Sequence, residues 1–528
     1  MGLAPRYLVP AILIVLTASA AIVPALRWSL MLLAPLLAIA MWDFFQRQHT
    51  LRRNFPLIAR MRWLFEDLRP YLHTYIVESD LEGRPFNRDQ RALVYARAKG
   101  ELDKHPMGTE LDTYSEEYEW LSHSIVPDAS APDYWRVRIG NERCGKPYEA
   151  SLLNISAMSF GSLGGRAIEA LNWGAAKGGF AHDTGEGGIS RYHRSHGGDL
   201  IWEIGSGYFG CRTTDGNFDP DKFAEQAGDD QVKMIEVKLS QGAKPGHGGV
   251  LPGSKVTGEI AEARGVDVGQ DCNSPPAHST FSTPVELIEW IDDLRELSGG
   301  KPVGFKLCVG QLHEVMALMK AMIETGRTPD FIVVDGGEGG TGAAPPELSN
   351  SVGMPMRQGL MAMRNALVGC GLKGSVRLGV SGKIHSGAGL AAAFALGADW
   401  GNAARSFMFA LGCVQSMRCH TDECPTGVAT QQAWRQQGLV VPDKAERVYR
   451  FHRETLKSFR EIVVAMGHTD PWQLRPWDLF DRLDSTRALP IDSVYEFLEP
   501  GRLLQDPENT QFARAWREAR AETFRRVA

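Results

Sequence analysis

Apolar residues follow three patterns along this chain. Residues 8–26 form an uncharged, mostly apolar run that stops at Arg27, and a second run, 28–42, stops at Asp43. The first has the length of a membrane span, about 20 residues, and the second lies at the short end of that range. Pro24 and Arg27 fall where a hairpin turn would sit, and Trp28 and Trp42 flank the second run as interfacial anchors do. Between about 46 and 135, apolar positions recur at helical spacing, as in 60–65 and 89–99. From about 150, short apolar runs (152–155, 234–239, 303–307, 331–334, 376–380) alternate with helical patterns (284–297, 312–325, 389–396). That alternation predicts a parallel sheet with helical crossovers, closed as a barrel or open and doubly wound. After 440 the chain turns helical and charged again, as in 445–466.

The N-terminal pattern predicts a two-helix membrane anchor. Arg47, Arg52, Arg53, Arg60 and Arg62 follow it, with only Asp43 opposing them before Glu66. The positive-inside tendency then puts the bulk of the chain on the cytoplasmic side of the cell membrane. A signal peptide competes, since Ala18-Ser19-Ala20 resembles a cleavage site and Arg6 a charged n-region, but a second apolar run directly downstream argues against it. Helices buried in a soluble protein are the third reading.

Charge changes the picture only by exclusion. Fifty-seven Lys and Arg against 63 Asp and Glu give a net charge of −6, which offers nothing to a nucleic acid. Glycine says more. The 56 glycines cluster in loops after the candidate strands, at 184–188, 242–246, 335–342 and 381–382. In a barrel such loops build the active site, and their backbone N–H groups can hold phosphate. One face would then carry Glu186, Lys244 and Lys383. Turn chemistry explains any one of these loops, but four together less well. Residues 337–342 match G-x-G-x-x-G only formally, because Pro345-Pro346 follow where a helix should continue.

Eight cysteines are too few for a disulfide scaffold. Cys413, Cys419 and Cys424 form C-x5-C-x4-C, followed by Pro425. Soft thiolates select iron–sulfur clusters, zinc or copper(I). Three without a near fourth suit a cluster lacking one iron. Zinc with His420, and three buried thiols, remain open on spacing alone. Cys144, Cys211, Cys272, Cys308 and Cys370 read as structural.

The segment 412–431, with Cys413, Cys419-His420-Thr421 and Cys424-Pro425-Thr426-Gly427, resembles the iron–sulfur region of the glutamate synthase large subunit. Upstream, in order, stand Ile155-Ser156-Ala157-Met158-Ser159-Phe160-Gly161, Thr184-Gly185-Glu186-Gly187-Gly188, Gln241-Gly242-Ala243-Lys244-Pro245-Gly246, Leu251-Pro252-Gly253, Ser274-Pro275-Pro276-Ala277-His278, Lys306-Leu307 and Gly339-Gly340-Thr341-Gly342. Stand-alone, membrane-anchored members of this FMN-binding family fit best.

The resemblance implies an α/β fold, a (β/α)8 TIM barrel binding FMN and a [3Fe–4S] cluster, with flanking helical segments. The implied oxidoreductase passes electrons from the cluster to FMN and reductively aminates 2-oxoglutarate, through 2-iminoglutarate and with ammonia, to L-glutamate. It puts 2-oxoglutarate on Gln241, Lys244 and Arg264, and catalysis on Glu186 and Lys244. FMN falls on Ala157, Met158, Ser159, Lys306, Gly340, Thr341, Gly382, Ala404 and Arg405, with Lys306 at the N1–O2 edge. The cluster falls on Cys413, Cys419 and Cys424. The chain divides into a transmembrane hairpin (1–45), a helical linker or cap (46–149), the barrel with its iron–sulfur loop (150–435) and a C-terminal helical region (436–528). Electrons would come from a separate donor, ferredoxin-like or a reductase subunit.

Departures qualify this. Where the family reads Gly-Glu-Gly-Gly-Gln-Leu-Pro-Gly, this chain reads Gly246-His247-Gly248-Gly249-Val250-Leu251-Pro252-Gly253. Val250 cannot make the hydrogen bonds of Gln. Lys383 and Asn402 stand where phosphate loops usually carry Gly. Met1 is followed by Gly2, so an amidotransferase cysteine is not expected, nor is there room for a β-helix or NAD(P)H domain. The alternatives are a related FMN/iron–sulfur oxidoreductase acting on another imino or amino acid, an electron-transfer module, or a non-catalytic tethered barrel.

Overall fold

The computed structural model describes residues 5–104, 106–116 and 118–527. They form two compact units, Met1–Arg88 and Asp89–Ala528.

In the first unit, helix α1 (Pro5–Ile22) and helix α2 (Leu30–Phe45) are joined by a 3-10 turn, Pro24–Ser29. Val23 is extended (φ −88°, ψ 111°) and Pro24 opens the turn, as proline does at a helix start. Residues 24–29 therefore continue into α2. Among the described residues the stretch long and apolar enough to cross a membrane is Pro24–Phe45, 22 residues, whereas the apolar helix before it, Arg6–Ile22, is shorter. This reverses the order of span lengths read from the sequence. Trp28 and Trp42 are 83% and 70% exposed. Asp43 is buried at the end of α2, where its carboxylate accepts from Arg60 Nε and Nη2, both at 2.8 Å, and from the Leu57 N–H at 3.1 Å.

In the second unit eight parallel strands close a barrel in chain order: β1 (Leu153–Ile155), β2 (His182–Asp183), β3 (Leu200–Ile204), β4 (Val232–Lys238), β5 (Val303–Leu307), β6 (Phe331–Asp335), β7 (Arg377–Ser381) and β8 (Trp400–Ala403). Strand β8 closes on β1 through Gly401↔Leu153, Asn402↔Asn154 and Ala403↔Ile155. The barrel, not the open sheet, is the fold. Strands covered on both faces read as continuous apolar runs, and β6 obeys that rule from Phe331 to Val334. Helix α3 (Gly165–Gly178) follows β1, α4 (Pro284–Leu297) precedes β5, and α5 (Leu312–Thr325) follows it. Thr283 caps α4 in a reciprocal box with Glu286, which fixes its start. The 25-residue helix α6 (Val441–Ala465) buries one apolar stripe, including Val448, Phe451, Phe459 and Val463.

The connection after β4, residues 239–283, is the long one. It carries a two-rung antiparallel ladder pairing Val250 with Asn273 and Leu251 with Cys272, and the helix Gly258–Arg264.

Candidate active site

The C-terminal ends of β1, β2 and β4 bring four charged side chains together. Lys238, the last residue of β4, sets its Nζ 3.1 Å from Glu186 Oε2 in the loop after β2. Gly249 lies against the same carboxylate, since a Cβ there would fall 2.0 Å from Glu186 Oε1. Glycine lets the loop after β4 close over the acid without displacing its carboxylate. Burial would raise the Glu186 carboxyl, but Lys238, Arg264 and Lys244 outweigh it and hold the group below its ordinary range.

Lys244 is buried, and its Nζ donates to the Gly248 carbonyl at 2.8 Å. Burial lowers its pKa, and Glu186 offsets part of that. Arg264 is also buried. Its Nη2 donates to the Phe160 carbonyl at 3.1 Å and approaches Ser159 Oγ at 3.4 Å. Its Nη1 lies 3.7 Å from Cys272 Sγ, its guanidinium stands over the Phe209 ring at 5.1 Å, and its Nε has no partner. Cys272, read as structural from sequence, thus touches a candidate substrate arginine. Gln241 is half-buried in the Lys244 loop. Three cations surround one carboxylate, which leaves net positive charge for an anionic ligand.

The other expected residues ring the same mouth. Ala157, Met158 and Ser159 follow β1, and Ser159 Oγ donates to Ser162 Oγ at 2.9 Å. Gly340 and Thr341 are exposed in the loop after β6. Gly382 follows β7, and Ala404 precedes the short helix Arg405–Leu411 after β8. Arg405 Nη2 donates to the Glu338 carbonyl at 2.6 Å, tying the loops after β6 and β8 together. Lys383 takes a left-handed φ of 53°, a conformation that costs a non-glycine residue roughly 1–2 kcal/mol. Asn402 lies within β8, where its Oδ1 accepts from Trp400 Nε1 at 3.1 Å. His247 and Val250 are exposed at the rim, Val250 by 38%.

Lys306 is the last inward-facing residue of β5, and its ammonium meets acids that sequence reasoning missed. It touches Glu203 of β3, lies 2.8 Å from Glu236 Oε1 of β4, and 3.8 Å from Asp183 Oδ2 of β2. One acid in each of three short buried strands was the available signal, because a buried charge requires a partner.

The cysteines lie in the loop that follows the helix Arg405–Leu411. Cys424 is buried, yet Thr426 Oγ1 at 3.5 Å and the N–H groups of Ala429, Thr426 and Val428 outweigh that burial and hold its thiol below the ordinary value. Burial pushes Cys413 up to about 12, and burial with the neighbouring Cys424 raises Cys419. Among the described residues only Asp183, Glu203 and Glu236 bring three potential ligand atoms within 4.8 Å of one another, and there the Lys306 ammonium already sits. His420 is exposed.

Lys255, also missed, is 2% exposed. Its Nζ donates to the carbonyls of Ser162 at 3.2 Å, Cys419 at 3.2 Å and Ala429 at 3.4 Å. Gln431 Nε2 donates to Gly161 and Leu163 carbonyls, both at 3.0 Å. The cysteine loop is thereby fastened to the loop after β1. A Cβ at Gly342 would reach Cys419 Cβ at 3.6 Å, so Cys419 also borders the loop after β6.

A family model described as the conserved region in glutamate synthase matches residues 111–469. The glutamate synthase large subunit-like protein YerD of Bacillus subtilis (strain 168) is 34% identical over 495 residues, 86% of this chain and 94% of that protein. The archaeal glutamate synthase (NADPH) of Archaeoglobus fulgidus is 34% identical over 315 residues, 59% of this chain and 58% of that protein. The glutamate synthase (NADPH) large chain of Bacillus subtilis is 35% identical over 322 residues, 59% of this chain but only 20% of that protein. With more than half its length matched, and a relative aligned almost end to end, this chain belongs to the glutamate synthase family.

Proposed function

We propose that this chain is a glutamate synthase-like oxidoreductase that uses FMN and an iron–sulfur cluster to aminate 2-oxoglutarate reductively to L-glutamate. One observation carries the reading: Lys238, Lys244 and Arg264 gather around the single carboxylate of Glu186 at the barrel mouth.

The residues fit the cofactors. A cation, Lys306, tops the inward face of β5, as an electron-rich N1–O2 edge requires. Ala157, Met158, Ser159, Lys306, Gly340, Thr341, Gly382, Ala404 and Arg405 would hold FMN, with its phosphate toward the loops after β7 and β8. Bound FMN supplies hydride for the imine carbon. The amide-cradled Cys424, with Cys413 and Cys419, would hold a [3Fe–4S] cluster, which supplies one-electron transfer.

The chain's own groups do the rest. Arg264 is the planar cation for one carboxylate of the keto acid, and Lys244 pairs with the other carboxylate or the keto oxygen. Gln241 adds a neutral hydrogen bond. Glu186, kept ionised by Lys238, takes a proton from ammonium and returns it as the imine forms and is reduced. Gly249 lets the loop after β4 lie against that carboxylate.

A second reading has one specific observation behind it. His247 and Val250 stand at the rim where the family carries Glu and Gln, so another 2-oxo or imino acid is the alternative substrate. Residues 1–45 form the membrane anchor in this account, 46–149 the linker or cap, 150–435 the barrel and 436–528 the C-terminal helical region, with the barrel on the cytoplasmic side. Electrons arrive from a separate ferredoxin-like or reductase partner. Assaying glutamate from 2-oxoglutarate and ammonium with a reduced viologen dye as donor tests the reading. Product should require both reagents, and flavin-free protein with no product would refute it.

A further inference from the structure

The barrel interior holds a charge imbalance that the reaction above does not use. Asp183, Glu203 and Glu236 are buried on three consecutive strands, with Glu203 and Glu236 direct partners in the ladder. A single ammonium, Lys306, faces all three. Asp335 of β6 is the next acid around the ring, and it is occupied by the Gly242 N–H at 2.7 Å and by the Ser381 hydroxyl. Above them Lys238 is engaged with Glu186.

Three ionised carboxylates against one cation in a dry interior would be prohibitively costly. The geometry shows how the cost is avoided. Asp183 Oδ2 and both Glu236 oxygens lack a hydrogen-bond donor, although Glu236 Oε1 lies 2.8 Å from the ammonium. Asp183, Glu203 and Glu236 each bring a carboxylate oxygen within 4.8 Å of the others, so a proton held on Asp183 or Glu236 lowers the charge of the whole group. Burial raises the Asp183 carboxyl well above its ordinary range and raises Glu236 too. The three acids outweigh the burial of Lys306 and keep it charged.

We propose that Asp183, Glu203, Glu236 and Lys306 form a proton store that couples flavin reduction to uptake of a second proton. The inference rests on FMN closing the barrel mouth. Two electrons from the one-electron donor and one proton enter the flavin, leaving one negative charge on its ring. Lys306, the uppermost inward-facing group of β5, turns its ammonium toward that charge. The trio loses its counter-charge, and Glu203, its closest contact, binds a second proton from solvent. When hydride leaves for the imine, Lys306 returns to the trio and Glu203 gives its proton up.

The test is an electrode-driven reduction of the FMN-loaded full chain at slightly alkaline pH, following flavin absorbance. The dependence of midpoint potential on pH gives protons taken up per electron pair, and a pH-indicator dye counts them directly in the wild-type protein. The expected result is two protons per pair in the wild type, falling toward one in Glu203→Gln with the flavin spectrum retained. One proton per pair in the wild type would overturn the proposal and leave the FMN reading intact. Two in Glu203→Gln as well would also overturn it, because the second proton would then reside elsewhere than on Glu203. A chain that takes up no flavin would fail the FMN reading itself, and the proton store with it.

Discussion

Lys238 Nζ lies 3.1 Å from Glu186 Oε2, joining the last residue of β4 to the loop after β2. Both side chains are largely shielded from solvent, so this contact decides whether Glu186 is charged. Burial alone would raise the carboxyl, and Lys238 is the largest of the cationic influences that hold it down. In Lys238→Met burial remains while that opposing charge is gone. The acid limb of the kcat/KM–pH profile should move to higher pH, because the ionised form is then lost earlier as pH falls. Lys238→Arg should leave the limb near its original position. A limb unmoved by Lys238→Met would show that Glu186 is not the titrating group.

Arg264 offers a planar fork, whereas lysine offers one charged point. Arg264→Lys should raise KM for 2-oxoglutarate by about 10–100-fold, the worth of a charge-assisted hydrogen bond. The flavin spectrum and kcat should change far less. Steady-state kinetics decide this, and an unchanged KM would remove Arg264 from the substrate site.

Val250 tests the identity of the substrate. It is 38% exposed at the mouth, so glutamine fits there without overpacking. If 2-oxoglutarate is the substrate, Val250→Gln should lower its KM by about 2–10-fold, one ordinary hydrogen bond. A KM that rises instead, with turnover of a less polar 2-oxo acid falling, would favour the alternative substrate class.

Lys255 holds three buried carbonyls at once. Lys255→Met would leave them unpaired, at a cost of about 2–4 kcal/mol in stability. Denaturant unfolding should show that loss, and iron and labile sulfide content should fall with it, because the cysteine loop is no longer fastened to the loop after β1. Unchanged stability with full iron content would contradict this role.

Much of this architecture was legible in the sequence, for physical reasons that also explain the omissions. Strands such as Val303–Leu307 and Phe331–Asp335 are nearly uninterrupted apolar runs because both faces are covered. His182–Asp183 is two polar residues, Leu200–Ile204 contains Glu203, and Trp400–Ala403 contains Gly401 and Asn402, so each resembles a loop until the barrel closes around it. Glu186 and Lys244 stand in ordered glycine-rich motifs, and the family resemblance supplied Arg264. Lys238, Lys255 and the acids around Lys306 do not, and a lone charge in a sequence reads as surface. Only the tertiary pairing shows that they are buried. The two apolar N-terminal runs were visible, but Pro24 assigns the intervening turn to the second helix, which run length alone does not disclose.

The central claim is that the cations around Glu186 receive 2-oxoglutarate for reductive amination. Its most direct test is to reduce the FMN-loaded protein anaerobically and add 2-oxoglutarate and ammonium, separately and together, while following the flavin band. The account predicts reoxidation only when both are present, with one glutamate formed per flavin reoxidised. A reduced flavin that ignores the pair, or that is reoxidised by 2-oxoglutarate alone without glutamate appearing, would contradict it.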